Sequence, residues 1–127
     1  MKADPFTVIV HADRRILEVR YPTRPTMESY EKYEVEVRRA IEGLAKGGEW
    51  DCLVDQTGLK ALAPEFPPLI AKLNTWARSK GMRRTARVVS HSAIGELQTV
   101  RILKDAGVKE IGSVFHDRDE AWATLTK

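Results

Sequence analysis

Apolar positions along the chain repeat with a period of either two or about 3.6 residues, and the changes of period fall at glycines and prolines. Phe6–Val10 and Arg15–Tyr21 are β-branched and aromatic runs separated by the polar His11–Arg14, which predicts an antiparallel hairpin. Pro22 and Pro25 forbid any extension of the second strand, because neither has the amide a ladder needs, and Thr26 stands where a helix N-cap belongs. Met27, Tyr30, Tyr33, Val37, Ile41 and Leu44 then step by three or four, the stripe of a long helix that Gly47 and Gly48 end.

Trp50–Asp55 is short and apolar and closes on Gln56, Thr57 and Gly58, the pattern of a buried parallel strand meeting its exit loop. A loop to Pro64 leads into Phe66, Leu69, Ile70, Leu73, Trp76 and Ala77 at helical spacing. Pro67 and Pro68 are tolerable only in a first turn, and Gly81 terminates. Thr85–Val89 predicts a strand with Ser90, His91 and Ser92 as its exit. Ile94, Leu97, Val100 and Leu103 predict a third helix closed by Gly107, and Ile111–Phe115 the last strand. Asp117–Glu120 has capping-box-like spacing ahead of Ala121, Trp122 and Leu125, so a short helix ends the chain. The predicted order is β-β-α-β-α-β-α-β-α: an α/β fold of one domain, with right-handed crossovers onto a mostly parallel sheet opened by an antiparallel hairpin and about four helices. No repeat or linker interrupts it.

Composition narrows the function classes. The 127 residues are 43% hydrophobic and 31% charged, enough apolar material for a core that needs no disulfide or metal staple. The single cysteine, Cys52, leaves no internal bridge, and Phe6–Val10 is too short for a signal core, so a cytoplasmic setting is expected. No apolar run approaches the ~20 residues of a spanning helix.

The net charge of +3 is unevenly spread. From Phe66 to Gly95 there is no acid, while Arg78, Lys80, Arg83, Arg84 and Arg87 crowd into ten residues. Glu28, Glu31, Glu34, Glu36 and Glu42 line the first helix. A solvated face is the plain reading of the basic run; the sharper one is a surface that steers an acidic partner, a lipid headgroup or a second copy's acidic helix. The run lacks the interleaved aromatics on which single-strand binders stack bases, so nucleic acid is a poor expectation.

Catalytic and metal patterns are missing. No nucleophile elbow, dinucleotide fingerprint or P-loop occurs, His11, His91 and His116 fall in separate segments, and Cys52 lies in an apolar strand where a thiol is inert packing. No cofactor or metal is expected, and the chain reads as a non-enzyme.

The opening hairpin, the long first helix, the strand-loop Leu53–Leu59 with its Asp55-x-Thr57-Gly58 turn, the Trp76–Val89 passage and the acidic-aromatic ending Val114–Leu125 together resemble the STAS-like family, the architecture of anti-sigma-factor antagonists. The likeness is closest to its small stand-alone bacterial members of mostly unknown function, and it covers nearly the whole chain. It implies a regulatory module that works through protein-protein contacts. Regulatory members carry a phosphorylatable hydroxyl near the start of the helix after the central strand. This chain departs from that pattern, having no hydroxyl residue between Thr57 and Thr75, and Thr57 itself reads as a turn residue.

Topology points to the same edge of the fold, since ligands of open α/β sheets bind beyond the carboxyl ends of the parallel strands. The expected binding residues are therefore Asp55, Gln56, Thr57 and Gly58, then Ser90, His91 and Ser92, then His116, with Arg83, Arg84 and Arg87 as the basic contribution. Ser90 or Ser92 would cap the third helix. A protein partner is the expected occupant, and a homodimer is allowed. The rival reading is a small apolar or anionic ligand, lipid-like or a nucleotide, in a cavity between the sheet and the first two helices. The large aromatics are expected in the core; the alternative exposes Tyr30, Tyr33 and Val37 as a docking groove.

Overall fold

The computed structural model describes residues 5–60, 62–91 and 93–127, the side chains of 93 and 94 excepted. The elements follow the expected order: β1 (Thr7–His11), β2 (Ile16–Arg20), α1 (Met27–Ala45), β3 (Trp50–Asp55), α2 (Phe66–Ser79), β4 (Met82–Val88), α3 (Ala93–Asp105), β5 (Gly112–Phe115) and α4 (Arg118–Leu125). A 3₁₀ turn at Lys109–Ile111 precedes β5, so that strand starts one residue later than its pattern predicts. The five strands lie in chain order, β1-β2-β3-β4-β5; β1 pairs antiparallel with β2 and the others are parallel.

Strand periodicity sorts the side chains into two unlike layers. On one face Leu17, Val19, Trp50, Cys52 and Val54 pack under α1, α2 and α3. On the other, Ile16, Leu53, Ala86 and Val88 form a small apolar island beneath Ala121 and Leu125 of α4. Around that island the same face carries Glu18, Asp51, Asp55 and Arg84, so it is as charged as its opposite is apolar.

The helix ends are fastened as well as capped. Thr26 and Ser29 form a reciprocal box at the start of α1, each side chain accepting the other's amide. At its end Arg15, held at φ +54° in the hairpin turn, reaches across to donate to the carbonyls of Leu44, Gly48 and Glu49. A Cβ on Gly47 would stand 2.6 Å from Arg15 Nη1, so a side chain there would push the guanidinium off these carbonyls.

Tyr30, Tyr33 and Val37 are buried in the core as expected and the alternative groove does not form: Phe6 stacks on Tyr33 at 4.4 Å between ring centres and meets Tyr21 and Tyr30 edge-on. Two expectations need correction. The α3 stripe is rotated from the predicted one. Leu97 is 70% exposed while Thr99, Ile102 and Leu103 face inward, since Thr99 is claimed by a side-chain hydrogen bond from Gln56. Finally, β4 begins at Met82 rather than Thr85, which puts Arg83 and Arg84 inside the sheet instead of in the preceding loop.

The apolar layer predicts a contrast within one helix. Ile41→Ala, at a site 2% exposed, should cost about 2–5 kcal/mol in equilibrium urea unfolding. Val35→Ala, at a site 62% exposed, should stay within about 0.5 kcal/mol of the parent.

Candidate functional site

The exits of β3, β4 and β5 lie side by side because those strands are neighbours in the sheet. Asp55 ends β3 and folds its carboxylate back to accept the Thr57 amide at 3.0 Å and the Thr57 hydroxyl at 2.7 Å, an Asx turn that throws Thr57 and Gly58 outward. Gln56 continues the ladder, its amide donating to the Val88 carbonyl at 2.7 Å, and its side-chain amide donates to Thr99 Oγ1 at 3.4 Å. The β3 exit is thereby stapled to α3.

On the neighbouring strands the Val89 amide donates to the Phe115 carbonyl, so Ser90 and His91 leave the sheet beside His116. The His91 and His116 rings stack with centres 4.5 Å apart and planes 14° from parallel. His116 Nδ1 lies 3.3 Å from the Val89 carbonyl, and its Nε2 lies 3.8 Å from the Glu96 carboxylate. Stacked rings set their nitrogens side by side instead of aiming them at one point, and no cluster of three metal-ligating side chains occurs among the described residues. Nor does any hydroxyl or thiol hydrogen-bond a histidine among them, while burial pushes the Cys52 thiol up to about 11. Ser92, expected as a cap of α3, lies outside the described residues.

The basic residues separate from this rim. Between Trp50 and Asp51 the pairing shifts by one: Trp50 faces Met82 and Asp51 faces Arg84, leaving Arg83 as an extra residue in β4. Consecutive strand residues ordinarily face opposite ways, and this bulge is what lets both arginines reach one carboxylate. Arg83 and Arg84 donate to Asp51 at 2.8 and 2.7 Å between closest atoms, at the opposite end of β4 from the exits, about 13 Å away along the strand. Arg84 also donates to the Thr124 and Leu125 carbonyls, closing the C-terminus of α4.

Arg87 is not a surface residue: it is 3% exposed and turned toward α2, where it bonds Asn74 and Thr85. The expected patch of Arg83, Arg84 and Arg87 is thus two structural clamps on different faces. The cavity expected between the sheet and the first two helices is about 20 Å³, room for one water molecule and far below the volume of a lipid chain or a nucleotide.

Glu18 was not singled out by the sequence, although a lone acid inside the apolar run Ile16–Val19 was its signal. It is 2% exposed, accepts a forked pair from Arg118 of α4 at 2.8 and 3.0 Å, and meets His11 Nε2 at 2.9 Å. Trp122 of α4 lies between the His11 ring edge and the Arg118 guanidinium. The short last helix is consequently held to the charged face at both ends.

The fold has a counterpart among solved structures. An anti-sigma-factor antagonist (STAS) domain protein from Planctomyces limnophilus superposes on 98% of this chain and 100% of its own at a TM-score of 0.58, with 15% sequence identity. The fold is that of a STAS domain. At that identity the likeness is one of architecture, and it spans the hairpin, the parallel strands and the helices of this STAS-like chain alike. No family model matches the sequence, and no curated protein does. No helix among the described residues is long and apolar enough to cross a membrane.

The two buried carboxylates set an acid limit on stability. Burial alone would raise the Glu18 carboxyl, but the hydrogen bonds and charges of Arg118 and His11 outweigh it and hold the group below its ordinary 4.5. Burial likewise opposes Arg83 and Arg84 at Asp51, which ends below 3.8. The unfolded chain therefore binds more protons in acid than the folded one. Stability should be flat above about pH 5.5 and decline as pH falls past these unfolded values and through the lower folded ones. In Glu18→Gln the same titration, followed by urea midpoints, should decline less steeply.

Proposed function

We propose that this chain is a non-enzymatic, single-domain STAS-like interaction module of the cytoplasm, which docks a protein partner on the rim formed by the exits of β3, β4 and β5. The observation that carries the reading is the strand order. Small-molecule crevices in open α/β sheets form where that order reverses, and this sheet runs β1 to β5 without a reversal. Its carboxyl edge is accordingly a continuous surface. Thr57, Gly58, His91 and His116 are exposed along it.

The rim is also hydrogen-bonded to the rest of the fold. Asp55 is spent on the Thr57 turn, Gln56 on α3, and the Val88 and Val89 backbone on the adjoining strands. Little ordering remains to be done on association, which favours docking between preformed surfaces. Deeper in the fold, the cavity beneath α1 and α2 is only about 20 Å³, which supports recognition at the outer surface over a ligand enclosed there.

A photo-crosslinking residue placed at Gly58 or His91 should give a discrete adduct in cells that saturates with expression. The same residue at Lys46, exposed at the far end of α1, should give none. An adduct at twice the 14.4 kDa chain mass would make the partner a second copy. Identical adducts from all three positions, or none from the rim, would overturn the docking site.

A further inference from the structure

The two edges of the sheet are treated differently. Strand edges are ordinarily blunted by shortness, charge or proline, because an unpaired row of amides and carbonyls is a template for another strand. β5 is protected in this way: it has four residues and starts from the charged turn Lys109–Ile111. β1 is not. Its five residues Thr7–His11 contain no proline, carboxylate, lysine or arginine, and they leave Ile9 37% and Val10 45% exposed. Its outer side pairs with no strand among the described residues, so alternate residues turn an amide and a carbonyl to solvent.

The flank of this strand has room for another. A groove of about 340 Å³ lies between the end of the hairpin and α1, bordered by Val10 and Ala12 on one side and by Arg39, Ala40 and Gly43 on the other. Val8 packs against the apolar layer under α1, and Val10, two residues on, shares its face. Ile9 belongs to the opposite face with His11, which meets Trp122 of α4. The small Ala40 and Gly43 on the helical wall leave space for side chains that an added strand turns toward α1.

Sequence and charge identify the occupant. In antiparallel pairing about a two-fold axis at Ile9, Val8 stands opposite Val10 of a second copy and Ile9 opposite its own counterpart, β-branched pairs with no charge among them. Phe6 stacks on Tyr33 and Val10 borders Ala40 and Leu44, so β1 and α1 run side by side and Ile9 is level with the helical turn that carries Glu36, Arg39 and Ala40. Glu36 and Arg39 are exposed, and neither has an ion-pair partner among the described residues. Reversal about the axis turns Glu36 of each copy toward Arg39 of the other. We propose that β1 pairs antiparallel with β1 of a second copy, joining two five-stranded sheets into one with the two α1 helices on the same face. The contact leaves the exits of β3, β4 and β5 uncovered and is independent of any partner on the rim.

Sedimentation equilibrium of the whole chain should approach twice the 14.4 kDa chain mass as concentration rises. Ile9→Lys sets like charges against each other on the axis and should weaken association about tenfold or more. Arg39→Glu should weaken it too, and adding Glu36→Arg should restore it. Cysteine at position 9 gives the geometric readout: residues facing across an antiparallel ladder have Cα atoms about 4.5–5.5 Å apart, within reach of a disulfide. Ile9→Cys should therefore form a covalent dimer under mild oxidation, and Val35→Cys, at a site 62% exposed, should not. Cys52 is buried and leaves the reaction to the new thiol. If Ile9→Lys does not fold, the crosslink and the charge exchange decide. A monomer at every concentration, an Ile9→Lys variant that associates like the parent, or an Ile9→Cys variant that crosslinks no faster than Val35→Cys overturns the proposal.

Discussion

Right-handed crossovers in a sheet whose strands never change direction of addition put every connecting helix on the same side. That constraint governs the rest of this molecule. α1, α2 and α3 all join neighbouring parallel strands or lead into them, so all three cover one face and the apolar side chains of β2, β3 and β4 collect beneath them. The other face is left to α4, which follows β5 and is eight residues long. A helix of that length buries too little apolar surface to seal a five-stranded sheet, and the exposed remainder is filled by charge: Glu18 with Arg118, Asp51 with Arg83 and Arg84, Asp55 with its turn.

Buried ion pairs of this kind add little net stability against an apolar substitute, but they are selective about geometry. Asp51 accepts from two consecutive residues of one strand, which only the bulge at Arg83 permits, and that fixes the β3–β4 register at its start. Arg84 then carries the same constraint to the carbonyls that end α4, and Arg118 fixes the other end of that helix on Glu18. Position, more than energy, is what these clamps supply to the strands whose far ends form the rim.

The element order was legible in the sequence because each helix and strand carries its own period and its own stop: the prolines before Thr26, the glycine pair after α1, the Asp117 cap of α4. What the pattern could not convey is where charges go once strands pair. Arg83, Arg84 and Arg87 look alike as a run. The bulge turns two of them onto a single aspartate, and the ordinary alternation of β4 sends the third into the interior. Leu97 and Thr99 exchange their expected places for a comparable reason, since a buried hydrogen bond to Gln56 claims the threonine. At the site, the exit turns followed from local chemistry, whereas the stacking of His91 on His116 depends on two strands becoming neighbours.

The strand order has a meaning in time as well as in space. A ribosome delivers β1 to β5 in the sequence in which they stand in the sheet, so each strand is made next to its neighbour in the chain's order. Arg83 and Arg84 reach Asp51 some thirty residues after it is synthesised, but Arg118 comes a hundred residues after Glu18. In the folded chain Glu18 is also attended by His11 and Arg20 from its own hairpin. The forked pair at Glu18 thus joins the first hairpin to α4 across most of the sequence, and the charged face is complete only with both present.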